Sequence, residues 1–152
     1  MTWTFQVEPW ATFIPEAKPL LPGHWEELAL DKDKVPLDPI YEIYDAKDRA
    51  GEVVVVTGRK DGALVAYFIG FIAPGLHYRT CLTCTMDIFY VLPEYRGENA
   101  GIYLFKAVEA ECKRRGVQRL FVGSKLRKDC AFLFDKLGYT EVERYYSAWL
   151  GA

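Results

Sequence analysis

The stretch that most constrains this chain is Met86 to Gly116, MDIFYVLPEYRGENAGIYLFKAVEAECKRRG. Ile88 to Leu92 is β-branched and aromatic and predicts a strand, which Pro93 ends. Arg96-Gly97-Glu98-Asn99-Ala100-Gly101 follows as a turn containing two glycines. Gly101, Leu104, Phe105, Val108 and Cys112 then recur with helical spacing and form one apolar stripe. Lys106, Glu109 and Lys113 hold the opposite face, with Glu109 and Lys113 spaced as a favourable pair. Gly116 supplies the helix stop.

Strand, small-residue turn and helix N-terminus together make an anion site. The first N–H groups of a helix have no intrahelical partner, and that end carries a charge of about +0.5. Pyrophosphate suits it where the backbone can come close, which glycine allows. An ordinary strand-to-helix corner has the same outline. A P-loop would need Lys-Ser/Thr after its glycines, and a dinucleotide fingerprint would need G-x-G-x-x-G; neither is present.

At 152 residues the chain is expected to form a single domain spanning 1–152. A chain of that size buries roughly 68–70% of its extended surface. The net charge of −2 makes no general electrostatic case for nucleic acid or for an anionic membrane. No apolar run approaches the ~20 residues of a membrane span. Met1 to Trp10 lacks the basic start and apolar core of a signal peptide. Cys81 and Cys84 form a single C-x-x-C, with no second pair or histidine partners for zinc. With Cys112 and Cys130 they are read as reduced structural thiols, and the expected location is cytoplasmic. No metal site is expected.

Thr2 to Val7 alternates as a strand. Ile14 to Leu30 reads as a broken helix, with Pro22 starting its second part and His24, Glu26 and Glu27 on a solvated face. Asp38-Pro39 reads as an N-cap and N1 pair before a helix over Ile40 to Ala50. Val53 to Thr57 and Ala63 to Ile72 form a hairpin around Asp61-Gly62. After Pro74-Gly75 a third strand runs to Leu92. Val117 to Gly123 is a strand behind the long helix. A short helix over Cys130 to Leu137 stops at Gly138, and Val142 to Leu150 is expected as a last strand. The expected fold class is α/β (α+β): a mixed, mostly antiparallel sheet flanked by helices, ordered β-α-α-β-β-β-α-β-α-β.

Pro93-Glu94-Tyr95-Arg96-Gly97 followed by Asn99-Ala100-Gly101 resembles motif A of the GCN5-related N-acetyltransferases (GNAT), Q/R-x-x-G-x-G/A. Arg96 matches its first position and Gly101 its last. Asn99 stands where the family usually has glycine, and Asn tolerates left-handed backbone. Phe134-Asp135-Lys136-Leu137-Gly138-Tyr139 resembles the family's Y-E-K-L-G-F. The element order is also the family's, and the resemblance spans about Val53 to Leu150. His24-Trp25-Glu26-Glu27 and His77-Tyr78 give a looser likeness to small phage- and prophage-encoded members.

The resemblance implies transfer of an acetyl group from acetyl-CoA to a primary amine by direct attack on the thioester. The cofactor would be held by Tyr90, Val91, Leu92, Arg96, Gly97, Glu98, Asn99, Ala100, Gly101 and Ile102. Lys125, Arg127 and Lys128 are further candidates for its phosphates. An amine of pKa ~10.4 must lose a proton, at a cost of roughly 4–5 kcal/mol at pH 7. Asp87 is the first candidate base, expected on the strand face of Phe89 and Val91. Glu27 is the second, because the family's first helices wall the acceptor site. His77 has a suitable unperturbed pKa. Tyr78 and Tyr139 are candidate donors to the thiolate or the amine. The family's usual acid is the first residue of Y-E-K-L-G-F, here Phe134. The implied acceptor is a small-molecule or protein amine, with homodimerisation possible and no stable nucleic-acid or membrane partner. A non-catalytic acyl-CoA-binding module and a phage-type nucleobase-modifying enzyme are the alternatives.

Overall fold

The computed structural model describes residues 2–151. The elements are β1 (Trp3–Val7), α1 (Trp10–Ala17), α2 (Leu21–Leu28), α3 (Tyr41–Arg49), β2 (Val53–Lys60), β3 (Ala63–Gly75), β4 (Tyr78–Val91), α4 (Ala100–Arg114), β5 (Arg119–Phe121) and α5 (Ala131–Lys136). The five strands form one sheet in the order β1-β2-β3-β4-β5. Every pairing is antiparallel except β4 with β5, which is parallel. Helices cover both faces, so the mixed sheet expected from the sequence is the one observed.

β2 shows why this sheet is central. Val53 to Val56 is an unbroken apolar run, as a strand buried on both sides requires. Val54 and Val56 pack with Phe68, Leu104, Phe105 and Val108 beneath α4 and α5. Val53 and Val55 pack with Trp10, Phe13, Tyr67 and Ile69 beneath α1 to α3. The β2–β3 hairpin turns at Asp61 and Gly62, with φ of +50° and +87°, the double left-handed geometry that Asp-Gly serves.

The register of β3 against β4 shifts once within the strands' shared core. Ile69 lies opposite Ile88 and Gly70 opposite Met86, so Asp87 is an extra residue, a β-bulge. The bulge overturns the expected alternation. Phe89 and Val91 face α4, whereas Ile88 packs toward α1 to α3, and Asp87 bonds to Tyr44 of α3 on that same side.

Three other expectations need correction. The broken helix begins at Trp10 and divides at a 3-10 turn over Lys18–Leu20, where Pro19 has no N–H to donate. Ile40, not Asp38, precedes the first turn of α3. Val142 to Leu150 forms no strand: it is exposed, and none of its residues joins the sheet. Its pattern supplies β-propensity, but propensity acts only where neighbours can pack against it. The four cysteines are free thiols.

Candidate active site

β5 lies beside β4 only from Thr83 to Thr85. Beyond Thr85, β4 runs on to Val91 with no strand on that side among the described residues, so a gap opens along its edge. The Leu92 N–H donates to the Val65 carbonyl at 2.9 Å. By antiparallel alternation, Tyr90 and Ile88 also address β3, while Phe89 and Val91 turn their peptide groups into the gap. The Val91 carbonyl there accepts from Arg96 Nε at 2.9 Å. Of the three backbone positions expected to meet the cofactor on this strand, only Val91 points outward.

The gap leads to the start of α4. Asn99 has φ +59° and Gly97 φ +96°, so Asn takes the left-handed position as anticipated. No side chain caps the helix. The Tyr103 N–H is the first to reach back, to the Asn99 carbonyl at 3.1 Å. Ala100, Gly101 and Ile102 therefore present the helix-end amides, and a Cβ at Gly97 would meet nothing within 4 Å. Such a row of helix-start amides, with open space at Gly97 beside it, suits a pyrophosphate. Glu98 turns away from it, pairing with Lys60 and accepting from the Trp3 indole. Gly101 is needed for another reason than close approach of phosphate: its absent Cβ would lie 3.0 Å from Leu133 of α5.

Arg96 is half-buried and turned toward α2. Its guanidinium donates two bonds to Glu27 of α2, at 2.7 and 2.8 Å. Tyr90 Oη also donates to Glu27, at 2.7 Å. The Arg96 pair holds the Glu27 carboxyl near pKa 2, which makes it a poor base. His24, expected on a solvated face, is instead buried. Its ring stacks on Tyr90 at 4.3 Å and its Nδ1 lies 2.8 Å from Tyr67 Oη. Burial lowers its pKa to about 4, so it is neutral at pH 7.

Asp87 is different. Burial pushes its carboxyl up, against the lowering effects of the Tyr44 hydroxyl, which donates to Asp87 Oδ2 at 2.5 Å, and of Lys125. A carboxylate so placed is a stronger base than an exposed one. His77 and Tyr78 are not brought to it. They sit exposed at the β3–β4 turn, about ten residues or roughly 30 Å along the strand. Tyr139 stacks on Phe134 and donates to Glu109 of α4 at 2.7 Å, on the other face of the sheet from Asp87. Phe134 is buried against Phe89 and Phe105 and brings no hydroxyl. Arg127 donates to the Glu27 carbonyl near the end of α2, whereas Lys125 lines a cavity.

That cavity, of about 310 Å³, lies among α1, α2 and α3 and the sheet. Ile88, next to Asp87, and Tyr44, its hydrogen-bond partner, belong to its wall. Sequence reading did not find it. Its signal is the aromatic content of the first three helices, which reads equally well as core.

Solved acetyltransferases share this fold. The chain superposes on ribosomal-protein-alanine N-acetyltransferase from Brucella melitensis biovar Abortus 2308 with TM-score 0.76 and 17% identity, covering 100% of both chains. With glucosamine-6-phosphate N-acetyltransferase from Arabidopsis thaliana the TM-score is 0.73 at 12% identity, over 99% of this chain and 100% of that one. A predicted acetyltransferase from Clostridium acetobutylicum, solved with acetyl-CoA, gives 0.68 at 14%, over 98% and 97%. No curated protein matches the chain significantly. The acetyltransferase (GNAT) family matches residues 13–139, and the chain belongs to that family. The looser likeness to phage-encoded members finds no support among these matches.

Proposed function

We propose that this chain is an acetyl-CoA-dependent N-acetyltransferase with Asp87 as its base. One observation carries the reading: a half-buried carboxylate of raised pKa stands on β4 just past the point where β5 leaves it, on the strand that leads to the uncapped end of α4. The residues present fit the cofactor. Ala100, Gly101 and Ile102 offer amides for its pyrophosphate, and the β4 edge offers peptide groups to its pantetheine arm. Acetyl-CoA would supply a thioester whose C–S bond breaks as the amine's N–C bond forms. Asp87 takes one proton of the ammonium, directly or through a water, and the second passes from the nitrogen to solvent once the N–C bond has formed. The outward N–H of Phe89 or Val91 stabilises negative charge on the acetyl oxygen. With Phe134 in the position of the usual acid, the thiolate leaves unassisted, which a thiol pKa of about 8.5 permits.

Thiol release from acetyl-CoA with a panel of amines tests the reaction. Asp87→Asn should lower kcat by roughly 10²–10⁴-fold, because it keeps the shape and removes the basicity. Calorimetric CoA affinity should be nearly unchanged. A drop below about tenfold would make Asp87 structural. CoA binding without turnover of any amine would favour the non-catalytic module, the reading to which Phe134 lends weight.

A further inference from the structure

We propose that the acceptor is a small amine carried on an aromatic or similarly apolar body, seated among α1, α2 and α3 with its nitrogen at Asp87. This rests on the acetyl-transfer reading above and adds to it the class of acceptor.

The cavity's size and its wall both bear on the point. About 310 Å³ is at the lower end of the roughly 300–1,000 Å³ of small-molecule sites. Trp10, Phe13, Trp25, Leu28 and Tyr41 present rings and aliphatic carbon to it. Much of the wall's polarity is already committed elsewhere. The Trp10 indole donates to Asp45 at 2.7 Å, the Tyr44 hydroxyl to Asp87, and His24 Nδ1 meets Tyr67. A sugar hydroxyl entering here would lose its water and find few partners, whereas a ring would lose nothing. Charge points the same way. Lys125 and Asp38 are the charged side chains of the wall. A polycationic acceptor needs several carboxylates; the wall itself holds Asp38 alone, and Lys125 would repel a second ammonium. One amine on an apolar stem needs only Asp87, which stands beyond the wall beside Tyr44 and Ile88.

The test is a matched panel with acetyl-CoA: 2-phenylethylamine and tryptamine against glucosamine, kanamycin and an alanine-initiated peptide. The arylalkylamines should show kcat/KM at least about tenfold higher than the rest, within the range an apolar pocket supplies. Trp25→Ala, at a partly exposed position of the wall, should raise KM for 2-phenylethylamine about tenfold while KM for acetyl-CoA stays constant. Calorimetry of 2-phenylethylamine into CoA-loaded protein gives a readout free of turnover. Binding without any thiol release would uphold the seat and overturn acetyl transfer. Turnover of the hydrophilic amines alone would leave acetyl transfer standing and overturn this acceptor class.

Discussion

Asp87 and Tyr44 share one hydrogen bond, and its consequences have opposite signs for the two groups. The bond adds to burial in raising the Tyr44 pKa, while it opposes burial at Asp87. A base works only when deprotonated, so the rate should fall as pH drops through the Asp87 pKa. Tyr44→Phe removes a donor to the charged form, so that acid limb should move to higher pH. A pH–rate profile of kcat/KM checks this, and Asp87→Asn should erase the limb. An unmoved limb in Tyr44→Phe would mean another group titrates. At this scale the sequence offers Asp87 as a candidate and misplaces the face it lies on. Asp87 stands out as the carboxylate nine residues ahead of Arg96. Alternation, however, assigns it the face of Phe89, because a one-residue bulge leaves no mark in a hydrophobic pattern and flips every side chain beyond it. Glu27, the second candidate base, is paired with Arg96, 69 residues away in the chain, and a pairing across that distance, which disarms it as a base, leaves no local mark in the sequence.

Among the elements, α4 and α5 meet where Gly101 faces Leu133. A methyl at Gly101 would come within 3.0 Å of the Leu133 side chain. Overpacking costs roughly 1–3 kcal/mol, and the helix propensity of Ala offsets about 1. Gly101→Ala should therefore destabilise by about 1 kcal/mol, and Gly101→Val, β-branched and larger, by more. Leu133→Ala alone should cost about 2–5 kcal/mol. In that background Gly101→Ala should be neutral or stabilising, a coupling that denaturant melts of the four proteins would measure. Additive losses would show that the contact is not what Gly101 serves. The strand-turn-helix of β4 and α4 was legible because its strand, breaker, glycines and apolar stripe all agree. The last strand was misread because Val142 to Leu150 has the local pattern without a neighbour. Edge position and pairing are properties of the sheet, which a window of nine residues does not contain.

Over the whole molecule, that segment leaves Val142, Tyr145, Tyr146 and Leu150 exposed, and β5 ends the sheet with its outer edge open among the described residues. Exposed apolar side chains and an open edge each favour self-association. Sedimentation velocity should show a dimer that grows with concentration, and the double substitution Tyr145→Glu, Tyr146→Glu should abolish it. A monomer at every concentration would reduce these residues to harmless surface. The Arg96–Glu27 pair has a wider consequence. It spans from the loop that precedes α4 to α2, which lines the cavity, and Tyr90 closes the same link from the central sheet. On the proposed reading, CoA and the amine would press on opposite ends of one short strut, and ordering imposed on it by the first ligand would no longer fall to the second. Linkage then requires one shared factor: CoA and the amine would each change the other's affinity by the same amount.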